Sequence, residues 1–168
     1  MSRDVAYGAH ACQRLNVFSP RPGTGTGNVL IFVHGGGFVT GDKEEVPQAF
    51  HDNVGNWAAS HGTTGVVINY RLAPEHRWPA GAEDVAAAVA WTADAIADLD
   101  GNARRIFLMG YSAGAAHVAG YLADAQFWKQ ATPGVAGGIC VSGIYDLRLR
   151  PIHTAYFGDD DGLYDARS

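Results

Sequence analysis

Short apolar runs recur along the chain between longer polar or alanine-rich stretches. The clearest runs are residues 29–33, 64–70, 106–109 and 135–141. Continuous apolar runs of this length are typical of strands that are buried on both faces of a parallel sheet. The pattern therefore predicts four buried strands, and a shorter strand at residues 14–18 is predicted to precede them.

The stretches between the predicted strands have the composition of helices. Residues 82–99 and 113–125 are rich in alanine, and residues 46–60 are also predicted to be helical. Strands that alternate with helices of about ten or more residues favour right-handed βαβ units and a parallel sheet covered on both faces. The predicted fold class is α/β, a three-layer α/β/α sandwich with a mostly parallel sheet. Ligands of such sheets bind at the carboxyl ends of the strands.

Composition narrows the class of protein further. The chain has 168 residues, of which 47% are apolar and 17% charged, as expected for one globular domain with a buried core. A net charge of −5 without a cluster of Lys and Arg argues against nucleic acid or an anionic membrane as the partner. The two cysteines are too few for a disulfide framework or a structural zinc site, and no metal site is predicted.

The beginning of the chain carries no apolar segment of the kind found in signal peptides. No apolar run in the sequence approaches the length of a membrane span. The cytoplasm is therefore the expected location.

The first candidate site lies where the third buried strand turns into a helix. The segment GYSAG at residues 110–114 fits the pattern G-x-S-x-G. In this motif a strained strand-to-helix turn exposes the serine hydroxyl above the sheet, and the residues two before and two after must be small because strand and helix nearly collide. The N-terminal N–H groups of the helix also point toward developing negative charge. The pattern favours Ser112 as a nucleophile over an ordinary helix-capping serine.

The second candidate site directly follows the first buried strand. Residues 34–38 read HGGGF. An acyl-transfer enzyme binds the oxyanion of its tetrahedral intermediate with preorganised N–H donors. Consecutive glycines let the backbone bend so that its N–H groups face the site without side chains in the way. Alone, the motif is equally compatible with a plain glycine-rich turn.

A third motif, YRLAPEHRWPA at residues 70–80, follows the second buried strand. Its two prolines favour an extended, structured loop. Arg71 and Glu75 are placed to pair within this loop and to brace it.

The three motifs together, in this order and spacing, resemble the α/β-hydrolase esterases of the hormone-sensitive-lipase type. VSGIYDL at residues 141–147 and GYSAGA at residues 110–115 are also similar to the arylformamidase branch. The resemblance extends from about residue 15 to the end of the chain. One departure is Tyr111, since many relatives have Asp or His before the serine, and we expect it to tune the site.

The resemblance implies roles for particular residues. Ser112 would be the nucleophile, and the backbone N–H groups of Gly36, Gly37 and Ala113 would form the oxyanion hole. His34 would brace the glycine loop without acting as the base, and YRLAPE would be a scaffold segment. The reaction would need no cofactor.

The partners of the serine are harder to find. In this fold the acid follows the nucleophile and the histidine follows the acid. Asp146 and His153 are formally in that order, and His153 is the only histidine after Ser112. The resemblance implies instead an acid after the next strand and a histidine after the last one, and no such strands follow residue 141. We therefore expect residues 1–168 to be the N-terminal two thirds of a hydrolase domain, with its last strands, acid and base elsewhere.

The function implied is hydrolysis of small-molecule carboxylic esters with short acyl groups, through an acyl-enzyme on Ser112. An alternative enzyme class is an aryl-formamide hydrolase. A hypothesis of a different class is a non-catalytic fragment. Because the acid and base are expected elsewhere, we expect residues 1–168 to associate through the open strand at residues 135–141 and to be essentially inactive on p-nitrophenyl acetate.

Overall fold

The computed structural model describes residues 1–44, 51–99, 101–146 and 153–167. The strands are β1 (Ser2–Ala6), β2 (Arg14–Phe18), β3 (Val29–Val33), β4 (Thr64–Ile68), β5 (Ile106–Tyr111) and β6 (Gly137–Val141). The α-helices are α1 (Asp52–Ser60), α2 (Ala80–Asp94), α3 (Ala113–Ala123), α4 (Thr154–Phe157) and α5 (Tyr164–Arg167).

The strands form one sheet in the order β1-β2-β4-β3-β5-β6. β3, β4, β5 and β6 run parallel, whereas β1 and β2 are antiparallel to their neighbours. In the central register Val33 of β3 lies beside Gly110 of β5. This pairing brings the carboxyl ends of β3 and β5 together, so the HGGGF and GYSAG segments that follow them meet at one edge of the sheet.

Helices cover the sheet on both faces, which confirms the predicted three-layer α/β/α architecture. α2 and α3 pack against one face, and α1 packs against β2, β3 and β4 on the other. The main core lies on the face of α2 and α3, and its fully buried side chains include Ile31, Val66 and Leu108 from the sheet and Val85 and Val118 from the helices. Phe18, Phe32 and Val67 form a smaller core under α1.

One part of the sheet is left open. Within the described residues, no helix lies over β5 and β6 on the face that carries α1. A groove of about 700 Å³ remains there, lined by exposed apolar side chains. They include Trp57, Ile139 and Tyr111, which are 59%, 50% and 43% exposed. β6 is also the edge strand of the sheet, so this end of the sheet is open, as expected for the strand predicted at residues 135–141.

The structure corrects several predicted boundaries. The helix predicted at residues 82–99 is α2, which begins at Ala80 and ends at Asp94. The strand predicted at residues 64–70 ends at Ile68. For the helix predicted at residues 46–60, the part from residue 46 to 50 lies outside the described residues.

The strand β1 was missed by the sequence pattern. Its side chains are mostly exposed, so it carries no apolar run. Its position depends on pairing with β2 through a turn in which the N–H of Tyr7 donates to the carbonyl of Gln13. This pairing involves the backbone, which the hydrophobic pattern does not report.

Candidate active site

Ser112 occupies the sharp turn between β5 and α3. Its backbone has φ 52° and ψ −117°, a conformation that side-chain-bearing residues rarely adopt. Such strain persists only where the surroundings enforce it, and it is concentrated at functional sites. The Ser112 N–H donates to the carbonyl of Val141 at 2.8 Å, which ties the turn to the end of β6. Ser112 is half-buried, and its side chain does not cap the helix that follows.

Two glycines make this turn possible, as the motif predicts. A Cβ atom on Gly110 would overlap the backbone of Gly114 and Ala115. A Cβ atom on Gly114 would overlap the carbonyl oxygens of Val33 and His34. Strand and helix therefore touch backbone to backbone on both sides of Ser112.

The HGGGF segment folds into a loop with an unusual backbone. Gly36, Gly37 and Phe38 all have positive φ, at 125°, 59° and 70°. The carbonyl of Gly36 accepts the N–H groups of Val39 and Thr40 at 3.2 and 3.0 Å. A Cβ atom on Gly36 would overlap the carbonyl of Thr40, so this position requires glycine.

The N–H groups that the sequence assigns to an oxyanion hole are available. Within the described residues, the N–H groups of Gly36 and Gly37 donate to no backbone carbonyl. Ala113 is the first residue of α3, and the first N–H groups of a helix have no partner inside it. The carbonyl of Ser112 is already used, since it accepts the N–H of Ala115 at 3.0 Å.

His34 and Tyr70 support the glycine loop through hydrogen bonds to the carbonyl groups of Gly35 and His34. His34 is fully buried, and its Nδ1 lies 2.6 Å from the carbonyl oxygen of Gly35, to which it donates. The hydroxyl of Tyr70 donates to the carbonyl of His34 at 3.0 Å, and the two rings stack at 4.4 Å. Burial lowers the pKa of His34 to about 4, so its ring is neutral near pH 7. These contacts agree with a bracing role for His34.

The loop at residues 70–80 is braced differently from the expectation. Arg71 pairs with Asp84 at 2.8 Å and with Glu83 at 2.9 Å, both in the first turns of α2. Asp84 is fully buried and also accepts the backbone N–H of Arg71 at 2.7 Å. The predicted pairing of Arg71 with Glu75 is wrong, because the guanidinium faces the start of α2 while Glu75 is exposed.

The two in-chain candidates for acid and base lie on either side of an undescribed segment. Asp146 is half-buried in the loop after β6. His153 is half-buried at the start of α4, with its ring centroid 4.9 Å from that of Phe38. Leu147, Arg148, Arg150 and Pro151 lie outside the described residues. That the acid and base of Ser112 lie elsewhere, and are not Asp146 and His153, stays a prediction.

An aromatic cluster beside the loop was missed by the sequence analysis. Phe38 is buried against rings from α3 and α4, among them His117 and Tyr156. No periodic pattern connects these positions, because they come from three distant parts of the chain. The HGGGF motif draws attention to its glycines and not to Phe38.

Within the described residues, no group of three or more His, Cys, Asp or Glu side chains could hold a metal ion. None of the helices in the described part of the chain has the length and hydropathy needed to cross a bilayer.

The fold and the elbow define an α/β hydrolase. A model of the α/β-hydrolase fold family matches residues 30–165, and the chain belongs to this family. It is 40% identical to Carboxylesterase NlhH of Mycobacterium tuberculosis over 88 residues, which are 51% of this chain and 26% of NlhH. It is 34% identical to Esterase LipC of the same organism over 148 residues, which are 85% of this chain and 36% of LipC.

A solved structure gives the same classification. The hyperthermophilic esterase from the archaeon Pyrobaculum calidifontis superposes with a TM-score of 0.67 and 32% sequence identity. The superposition covers 80% of this chain and 41% of that esterase. The chain thus spans less than half the length of each of these three relatives.

Proposed function

We propose that the protein is a serine carboxylesterase that acts on small esters through an acyl-enzyme on Ser112. The observation that carries the proposal is the strained backbone of Ser112, which the contacts of Gly110 and Gly114 hold in place beside the glycine loop. The names of NlhH, LipC and the archaeal protein, all esterases, support the substrate class.

In the proposed reaction, Ser112 Oγ attacks the carbonyl carbon of the ester while a histidine base takes its proton. The carbonyl oxygen becomes an oxyanion and accepts N–H groups from Gly36, Gly37 and Ala113. Collapse of the intermediate breaks the ester bond and releases the alcohol, which takes the proton from the histidine. Water then attacks the acyl-enzyme by the same route and frees the acid.

The assignment of Ser112 is tested with a fluorophosphonate probe, which labels activated serines covalently. Ser142 provides a matched control, because it also has a positive φ, of 54°, and follows the neighbouring strand β6. In a full-length form that carries the acid and the base, we expect labelling of the unaltered protein and of Ser142→Ala, and none of Ser112→Ala. Labelling that persists in Ser112→Ala would contradict the assignment.

Turnover assays test both the substrate class and the identity of the catalytic base. Turnover of p-nitrophenyl acetate that exceeds turnover of an N-formyl anilide supports the esterase, whereas the reverse order identifies a formamide hydrolase. His153→Ala decides whether the base lies within the chain. Turnover that requires both Ser112 and His153 would assign His153 as the base, and turnover that requires Ser112 alone would exclude it.

A further inference from the structure

The last residue of the HGGGF segment is held in a conformation that its own chemistry disfavours. Phe38 has φ 70°, although bulky residues at positive φ are rare. It is 1% exposed and directly follows Gly36 and Gly37. The direction of the Gly36 and Gly37 N–H groups therefore depends on whatever keeps Phe38 in place.

Within the described residues, four rings surround Phe38 in what we call the Phe38 box. The ring of Tyr156 stacks on it almost in parallel, with centroids 4.8 Å apart and an angle of 7°. The other three rings meet it edge to face at centroid distances of 4.9 to 5.3 Å, and they belong to His117, His153 and Phe157. Edge-to-face and offset-stacked pairs at these distances are attractive.

A buried hydrogen-bond chain fixes Tyr156 itself. The N–H of Gly81 donates to the Tyr156 hydroxyl at 3.0 Å, and the same hydroxyl lies 3.4 Å from Nδ1 of His117, within hydrogen-bond distance. Tyr156 is 2% exposed and its carbonyl accepts the N–H of Trp78 at 2.9 Å. A Cβ atom on Gly81 would overlap the His117 ring, so the close approach of α2 to His117 requires this glycine.

His117 is neutral near pH 7, so only one of its two ring nitrogens carries a proton. Burial lowers the pKa of His117 to about 3. The rings that contact it are those of Tyr70, Phe38 and Tyr156. Tyr70 also braces His34, so the contacts of His117 link both ends of the glycine loop.

We infer that Tyr156 and His117 are positioning residues for the oxyanion loop, holding Phe38 so that the N–H groups of Gly36 and Gly37 keep their direction. The inference rests on the proposed function for its catalytic meaning, since an oxyanion hole matters only to an acyl-transfer enzyme. The part of the inference that concerns the order of the glycine loop can be measured without a substrate.

The test is amide hydrogen exchange of Tyr156→Phe, which removes the hydroxyl and keeps the ring. Two amides report the loop, since Ala73 donates to the carbonyl of Phe38 and Thr40 to that of Gly36. The amide of Val66 in the central sheet reports global unfolding. We expect exchange at Ala73 and Thr40 to rise about fivefold more than exchange at Val66, as the loss of one buried hydrogen bond predicts.

Tyr121→Phe is the matched control. Tyr121 is a buried tyrosine of α3 whose hydroxyl donates to the carbonyl of Pro133, away from the loop. In this variant, exchange at Ala73 and Thr40 should change only as much as at Val66. Equal changes at the three amides in Tyr156→Phe would overturn the inference. Phe38→Leu, which removes the stacked ring, should independently loosen the same two amides, and the inference also fails if it does not.

Activity provides a second readout. For any ester that the protein hydrolyses, Tyr156→Phe should lower kcat about fivefold and leave KM within about twofold. The reason is that the oxyanion forms in the transition state and the tetrahedral intermediate and is absent from the bound substrate. An effect confined to KM would overturn the positioning role. A full-length form that carries the acid and the base and still hydrolyses no ester would refute the proposed function instead, and the exchange result still decides the inference.

Discussion

Gly35 lies directly against Ser112. A Cβ atom on Gly35 would be 3.2 Å from the Cβ of Ser112 and 3.1 Å from the ring of Tyr111. The glycine loop after β3 and the serine turn after β5 thus pack as one unit, although they are far apart in the chain. Because a methyl group on Gly35 would be closer to these atoms than an ordinary van der Waals contact, the packing is sensitive to that single addition.

Gly114→Ala should be strongly destabilising. The new methyl group would overlap the carbonyl oxygens of Val33 and His34, which belong to the rigid end of β3. We expect a loss of about 3 kcal/mol or more in the free energy of unfolding, measured in urea. Gly120→Ala is the control on the same helix. Its methyl group would meet only Ala82 at 3.9 Å, and it should stabilise the protein by about 0.5 to 1 kcal/mol.

Ser112→Gly should abolish probe labelling and stabilise the fold. Glycine adopts φ 52° and ψ −117° without the steric cost that serine bears. We expect a gain of about 1 to 2 kcal/mol in the free energy of unfolding. Ser60→Gly, at the end of α1, should give a small loss because Ser60 has ordinary helical geometry. A destabilised Ser112→Gly variant would show that the turn is not strained.

Gly37→Ala tests whether the glycine loop binds the oxyanion or only contacts the substrate. No atom lies within 4 Å of a Cβ atom built there, so the fold should tolerate the change apart from the strain of φ 59°. If the Gly37 N–H binds the oxyanion, its displacement should lower kcat by about a hundredfold or more, with little change in KM. A change confined to KM in ester assays would instead indicate a loop that only contacts substrate.

Stability should fall as pH decreases below about 6.5. Burial lowers the pKa of His34 to about 4 and that of His117 to about 3, from an ordinary value of 6.5. Between pH 6.5 and 4 the unfolded chain therefore takes up protons that the folded protein excludes. With both histidines titrating, the free energy of unfolding should drop by about 2.7 kcal/mol per pH unit at pH 5.

Urea unfolding at several pH values measures this slope. His117→Leu should reduce it by about half, because one excluded proton is lost. His61→Gln should leave it unchanged, because His61 is exposed. A slope that does not respond to His117→Leu would contradict the assignment.

The purified chain should self-associate through its open sheet edge. β6 has no charged residue or proline to protect its free edge, and Ile139 is half exposed beside the apolar groove. We expect concentration-dependent oligomers in light scattering, and a shift toward monomer in Ile139→Lys. Leu163→Lys, which adds the same charge at a residue 40% exposed elsewhere, should not have this effect. A monomeric unaltered chain at high concentration would refute the expectation.

The sequence by itself determined the four parallel strands and the elbow. Residues 29–33 and 106–109 are continuous apolar runs, which are typical of strands in a parallel sheet. G-x-S-x-G acts locally at residue 110, where a Cβ atom would overlap the backbone of Gly114 and Ala115 in the same turn. Both signals are contained in a short stretch of chain.

Only the tertiary structure decided which distant groups meet. Arg71 pairs with Asp84 and not with Glu75, because the loop returns to the start of α2. Phe38 stacks on Tyr156, which lies far along the chain on α4. The open face over β5 and β6 depends on where helices pack, and the apolar runs are the same whether a helix covers them or not. Long-range pairing depends on the path of the whole chain, so no local pattern records it.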